Sequence, residues 1–217
     1  MHMYQKEILD TLRGSKTVRY GELQPEGVES SHFKYHLDQL INDGLVRQDS
    51  RGVYALTTKG KSSVDRLSTD RITPRQSPKV ITYTLLQDDD TYYLYQKTKE
   101  PYLGLLNMVG GKVHSGDSPY DSAIREVQEK AGIVVDELEE ITVASIRIME
   151  DDVLLTHVIA YVYVADVDAS ALHSGLVPVP RSEISEAKGL APDLLPVLEV
   201  IDDPEDYPSV DLLIDMV

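Results

Sequence analysis

No cysteine occurs among the 217 residues, which removes disulfides, zinc–thiolate sites and cysteine nucleophiles from consideration. A reducing compartment is compatible with that absence. Long hydrophobic runs are missing as well. The longest, Val153 to Val167, is interrupted by Thr156 and His157 and is too short to span a bilayer. The first residues, Met1 to Glu7, have no basic segment leading into an apolar one, so no signal peptide is expected. These absences predict a soluble, cytoplasmic protein with no membrane partner. Phenylalanine is nearly absent too, with one against thirteen tyrosines. Most of those tyrosines are expected to pack with their hydroxyls at an edge, while one, Tyr83 or Tyr102, is a candidate to stack on a base.

Positive charge is scarce, and unevenly so. The net charge is −16. Residues 1–75 hold 12 Lys/Arg against 10 Asp/Glu, or +2, and residues 76–217 hold 9 against 27, or −18. The break falls in a polar stretch with Pro74 and Pro78 that resists helix and strand alike. With 41% hydrophobic residues, a chain of this length can bury two modest cores. The expected division is a domain over 1–68, a linker over 69–78 and a second domain over 79–217, with different jobs.

In the first part, Met3, Ile8, Leu9 and Leu12 fall near one face of a helix that Gly14 ends. A second helix is expected to be capped at Ser30-Ser31, carrying Phe33, Leu37, Leu40 and Ile41 on its apolar face and closing at Gly44. Two short strands around Ser50-Arg51-Gly52 form a hairpin. The runs from His36 to Val46 and from Tyr54 to Gly60 resemble the winged helix-turn-helix transcription regulators over roughly residues 3–66. The resemblance implies that the helix from Ser31 enters a DNA major groove, with Ser31, His32, Lys34 and Tyr35 near bases and phosphates and Arg47 and Arg51 of the wing on phosphate. The other reading is a protein-interaction or dimerisation module, since +2 is little charge for DNA binding. A homodimer would place two such helices on one duplex.

In the second part, Val80–Leu86 and Thr91–Lys97 read as antiparallel strands around an Asp88-Asp89-Asp90 turn. A helix then starts at Asp117 or Ser118 with Pro119 at its first position and ends at Gly132. Its buried stripe is Tyr120, Ile124, Val127 and Ala131, which leaves Arg125, Glu126 and Glu129 off that stripe. Two carboxylates on one helix face beside a glycine turn suit a hard divalent cation. Gly111, Asp117 and the run Arg125-Glu126-Val127-Gln128-Glu129-Lys130-Ala131-Gly132-Ile133 resemble the signature of the Nudix family, and the likeness extends over about 79–200 through a strand at Thr156–Val164 and a helix near Ala191–Ile201.

This resemblance implies an α+β protein: an N-terminal winged helix-turn-helix domain followed by an α/β/α sandwich of Nudix type with a mixed sheet. It also implies Mg²⁺ or Mn²⁺ held by the Gly110 carbonyl, Glu126 and Glu129, with Arg125 orienting the box against Asp117 or Glu129. Catalysis would rest on Glu126, Glu129 and Arg125, and a nucleoside-diphosphate-type ligand would meet Gly111, Lys112 and Lys130. A further carboxylate could come from Glu150, Asp151, Asp152, Glu183 or Glu186, although Asp151-Asp152 also reads as a hairpin turn. Lys97 and Arg147 could reach an anionic ligand, and His114 is expected to be exposed. Two residues depart from the family pattern. Asp117 and Lys130 each stand where it has glutamate, and a protonated lysine cannot ligate a metal. Lys130 can instead pair with Glu126 four residues earlier or meet phosphate directly.

Two functions therefore stand. One is a transcriptional regulator whose altered Nudix domain senses a nucleotide. The alternative is an active Mg²⁺-dependent pyrophosphohydrolase with an accessory winged helix; a non-catalytic acidic scaffold is a weaker third. The segment from Ile201 to Val217 is expected to be a mobile tail unless its apolar end, Val210 to Val217, docks.

Overall fold

The alternation of apolar residues in the long strands and the helical stripes predicted above leads to two hydrophobic centres in the computed structural model, which describes residues 1–67, 75–135, 137–172, 175–203 and 209–216. The first contains α1 (Met3–Arg13), β1 (Val18–Arg19), α2 (Tyr20–Leu23), α3 (Ser30–Asn42), β2 (Val46–Ser50), β3 (Val53–Leu56) and α4 (Thr58–Arg66). The three strands pair antiparallel in the order β1-β3-β2, so β2 and β3 make the wing beside α3. Ile8, Leu9, Leu12, Phe33, Leu37 and Leu40 close the core at essentially zero exposure. Each is on a face that the 3.6-residue period had marked.

Two expectations need correction here. The residue before α3 is Glu29 rather than Ser30 or Ser31, and its side chain makes no capping bond; Ser30 and Ser31 lie inside the first turn, exposed. The short elements β1 and α2 were not foreseen, because two-residue and four-residue elements carry no readable period, and neither was α4, whose nine residues include few large apolar ones to mark a face. In α4, Gly60 is decisive. A Cβ there would lie 2.0 Å from the Leu45 carbonyl oxygen, so only glycine lets the helix seat against that backbone.

The second centre is a seven-stranded mixed sheet ordered β10-β7-β8-β4-β5-β6, with β9 paired to β5. Its members are β4 (Lys79–Gln87), β5 (Thr91–Gln96), β6 (Leu106–Asn107), β7 (Glu139–Glu150), β8 (Val153–Asp166), β9 (Leu176–Pro180) and β10 (Val210–Met216). The β4–β8 and β7–β10 pairs are parallel and the rest antiparallel. The helix α5 (Pro119–Ala131) covers one face through Ala123, Val127 and Ala131. The helix α6 (Leu194–Asp202) covers the other through Leu194, Val197 and Leu198. That is the expected α/β/α sandwich. Residues 210–216 are not a tail: they form β10, a parallel edge strand on β7 whose Val210 is buried. The linker expected over 69–78 lies largely outside the described residues. Among the described residues, no helix is long and apolar enough to cross a membrane.

The two centres meet where α4 packs on β8. The contacts are polar: the Ser62 hydroxyl donates to the Leu154 carbonyl at 2.7 Å, the Thr156 hydroxyl to Asp65 at 2.7 Å, and the Lys79 ammonium pairs with Asp65 at 2.5 Å. Only 4% of the Asp65 side chain is exposed, so this ion pair is one that must stay paired. Gly60→Ala is expected to push α4 off the Leu45 backbone and lower stability by about 1–3 kcal/mol, read as a lower urea midpoint. An unchanged midpoint would show that α4 can shift without cost.

Candidate functional site

The box begins where the chain turns back along β4. The Thr84 amide donates to the Val109 carbonyl at 2.7 Å and the Thr82 amide to the Gly111 carbonyl at 2.8 Å. Both glycines here are required by space. A Cβ at Gly110 would sit 1.9 Å from the Thr82 carbonyl oxygen, and one at Gly111 would sit 2.2 Å from the Glu126 carboxylate. The Glu126 carboxylate is therefore tucked against the bare Gly111 backbone, on a helix started by Ser118, whose hydroxyl accepts from the Asp121 amide at 3.0 Å, and stopped by Gly132 at φ 74°. Of the two cap candidates, Ser118 is the one used.

The carboxylate is fully engaged by cations. One oxygen of Glu126 meets Arg125 at 2.8 Å, and the other meets the Lys130 ammonium at 2.9 Å. The same ammonium also donates to the Gly110 carbonyl and lies 4.9 Å from the centre of the Tyr95 ring. Lys130 thus touches both donors, Gly110 and Glu126, that the Nudix resemblance assigned to a metal. Glu129, the third, is 58% exposed and 3.5 Å from Arg125. Among the described residues no group of three or more acidic or imidazole side chains could hold a metal. The donors present do not fit a divalent cation while Lys130 remains charged. Burial alone would raise the Glu126 carboxyl, but Lys130 and then Arg125 outweigh it and hold the group below the usual glutamate value.

Of the two partners expected for Arg125, Glu129 lies at 3.5 Å and Asp117 is not bonded; Glu126 and the Lys112 carbonyl at 3.1 Å are added. Asp117 faces His114 at 3.9 Å, and His114 is exposed. Arg147 pairs with Asp211 of β10 at 2.7 Å, which accounts for it without a ligand. Asp151 and Asp152 form the β7–β8 turn with φ of 51° and 60°. The Asp151 carboxylate accepts from Thr58 of α4 at 2.9 Å, and Glu150 pairs with Lys61 at 3.5 Å. Glu183 and Glu186 fall in the short turn Arg181–Glu186 and are exposed. None of these carboxylates joins the box.

Beside Gly110 and Gly111 opens a cavity of about 200 Å³. Its wall includes five cations, Arg13, Lys79, Lys97, Lys99 and Lys112, against Asp65, Glu100 and Asp193. The excess is positive, 5 against 3, in a protein whose whole charge is −16. Tyr83 and Tyr102 floor it. The Tyr83 hydroxyl donates to Asp193 at 2.7 Å, and Asn107 holds the other Asp193 oxygen at 3.0 Å, so Tyr83 is fixed rather than free to stack. Tyr102 is 7% exposed, and its hydroxyl has no hydrogen-bond partner among the described residues. The Lys97 ammonium stands 5.6 Å from the centre of the Tyr83 ring. Burial first and Lys130 second push it down to about 8, against the pull of Asp193. A lysine shifted in this way within a cleft is a candidate for a functional role.

A family profile for the Nudix domain matches residues 76–213. The chain belongs to the Nudix family. An uncharacterized Nudix hydrolase of Bacillus subtilis, YvcI, is 35% identical over 86 residues, 40% of this chain and 52% of that protein, so the chain spans about half the length of the curated relative it matches. The Nudix domain of Shewanella oneidensis NrtR, solved with ADP-ribose, aligns at 19% identity and a TM-score of 0.50 over 59% of this chain and 89% of that one. A MutT Nudix hydrolase from Burkholderia pseudomallei aligns at 21% identity and a TM-score of 0.48 over 57% and 98%. At 19% identity the NrtR structure speaks to the fold of the Nudix domain alone.

On the first domain, Ser31, His32, Lys34 and Tyr35 share the exposed face of α3, and Arg47 and Arg51 are exposed on the wing. Lys34 is paired with Asp38 at 2.6 Å and Arg47 with Asp49. Such exposed pairs are weak and exchange readily for phosphate. Sequence reasoning missed Arg13, Lys79 and Asp193 as cavity residues, whereas Tyr102 was among its candidates. Each of the three is an isolated charged residue in the sequence, and that is no signal.

Both titration shifts are downward, but they act on stability in opposite senses. Lys97 carries a folded value below the free-chain one, so the unfolded chain binds more protons above about 8 and stability rises with pH from there towards the ordinary lysine value. Lys97→Met is expected to be more stable than wild type at neutral pH and to lose that alkaline rise, measured as urea midpoints across the window. Glu126 is held low, so its contribution is present above the usual glutamate value and fades as pH falls through the folded one. Glu126→Gln leaves Arg125 and Lys130 facing each other. It is expected to cost about 3 kcal/mol at neutral pH and to flatten the acid limb of the stability profile.

Proposed function

We propose that this protein is a DNA-binding regulator whose Nudix domain recognises a nucleoside-diphosphate-type ligand rather than cleaving it. The observation that carries the reading is the position of Lys130, whose ammonium occupies the Gly110 carbonyl and the Glu126 carboxylate together. Hydrolysis in this family pattern needs those donors for a cation, and recognition does not. A fixed ammonium supplies positive charge to an anionic ligand without a metal. Beside it, the cavity adds an excess of lysine and arginine and the unpartnered Tyr102 hydroxyl.

The winged helix supplies the output. The exposed face of α3 carries Ser31, His32, Lys34 and Tyr35, groups that hydrogen-bond to bases and phosphates, and the wing adds Arg47 and Arg51. The small charge of this domain predicts weak, salt-sensitive binding by one copy. A homodimer would put two α3 helices on one duplex and raise affinity.

Hydrolysis of ADP-ribose and nucleoside triphosphates with Mg²⁺ or Mn²⁺ separates this from an active pyrophosphohydrolase. Little or no turnover is expected from the wild type. Lys130→Glu is expected to gain Mn²⁺ binding, read by electron paramagnetic resonance. Vigorous wild-type turnover that Glu126→Gln abolishes would overturn the recognition reading. For the DNA arm, duplexes selected at low salt should be shifted by the wild type and less by an Arg47→Ala, Arg51→Ala double variant. Failure to retain any duplex at low salt, with or without nucleotide, sinks the regulator.

A further inference from the structure

The cavity beside the box is not built by the Nudix domain alone. Arg13, the last residue of α1, and Asp65, on α4, belong to the winged-helix module and form part of its wall. The Arg13 carbonyl accepts the Glu100 amide at 3.0 Å, which pins the end of α1 to the loop that carries Tyr102. The Arg13 Nε is buried and has no hydrogen-bond partner among the described residues. Tyr102, which lines the same cavity, has a second buried polar atom without a partner among the described residues. A buried donor left unpaired is costly, and these two residues, one from each module, line one cleft with room for an acceptor.

The charge balance names the kind of acceptor. Lys79 is neutralised by Asp65 at 2.5 Å, whereas Lys97 has no ion pair among the described residues and stands over the Tyr83 ring. Lys112 contributes a further cation at the Gly111 end. Burial holds the Tyr102 phenol protonated well above neutral pH, which keeps it a donor. Donors and cations converge here, and Asp193 is tied up by Tyr83 and Asn107.

We propose that this cleft is a two-module site for the phosphate groups of a nucleotide-type ligand, in which Arg13 of the winged helix completes a cation set with Lys97 and Lys112 of the Nudix domain. The inference rests on the ligand-binding reading above and adds the route of regulation to it. An anion held by cations from both modules bridges them, so occupancy tightens the seating of α1 and α4 against the sheet. The seam is suited to such control. Its contacts include polar ones, Ser62 to Leu154, Thr156 to Asp65 and Lys61 to Glu150, which bind only in one seating of α4. By linkage, whatever seating of the winged helix the ligand favours will in turn favour the ligand.

The test uses the full chain, with ADP-ribose and inorganic pyrophosphate as separate probes in titration calorimetry. Arg13→Gln, Arg13→Lys and Lys97→Met are compared with wild type, and amide hydrogen exchange in α1 and α4 is followed with and without probe. Expected are losses of about fivefold or more for Arg13→Gln and Lys97→Met, partial recovery in Arg13→Lys, and slower exchange in α4 on binding that Arg13→Gln abolishes. If the wild type binds and Lys97→Met weakens it while Arg13→Gln changes neither affinity nor exchange, the two-module site is wrong and the ligand-binding reading survives. If the wild type binds neither probe, that reading fails and takes this one with it. Half-burial makes Arg13→Gln tolerable to the fold, and Arg13→Lys reports on charge if it is not.

Discussion

The Glu126 carboxylate lies against the bare Gly111 backbone and is clasped by Arg125 on one oxygen and Lys130 on the other. Everything distinctive about the site depends on this clasp. It requires glycine at 111, because a Cβ would overlap the carboxylate, and glycine at 110, because the strand there presses on Thr82. It brings the Lys130 ammonium onto the Gly110 carbonyl. A carboxylate with two cations has little left to offer a metal, and a partly buried carboxylate with neither would be strongly unfavourable. The substitution at 130 is thus the exchange of one charge-balancing scheme for another, with the fold of the box kept intact.

The same charge logic extends outward. The protein is strongly acidic, and its surface field repels anions at a distance. The cleft reverses that locally, with Arg13, Lys97 and Lys112 gathered around a tyrosine floor. An anion that enters leaves a high-dielectric, repulsive exterior for a site where each contact counts for more. Lys97 bears the cost of that arrangement before any anion arrives.

Much of this was legible in the residues themselves. The helix α5, its stop at Gly132 and the i, i+4 relation of Glu126 and Lys130 follow from local periodicity, which does not need to know the rest of the fold. The reading left alternatives open where the answer was set at long range. Arg125 bonds Glu129, one of its two expected partners, and not Asp117, because the loop holding Asp117 turns it towards His114. Residues 210–216 became β10 because the edge of β7 was open to pair with them, and nothing within the segment announces a parallel partner more than sixty residues earlier.

By itself, then, the sequence determined the family, the sandwich of helices on a mixed sheet, the helix that carries the carboxylates and the lysine that replaces one of them. The helix and its charges are short-range facts, written in periodicity and spacing, while the family and the sandwich followed from the resemblance to the Nudix signature. Only the tertiary structure decided that Lys130 reaches back to Gly110, that Asp193 is spoken for, and that Arg13 and Tyr102 face one cavity. Residues separated by most of the chain meet there because the end of α1 is bonded to the loop at Glu100 and α4 is seated on β8. No local pattern encodes such a meeting, since it is fixed by how two packed modules share a polar seam.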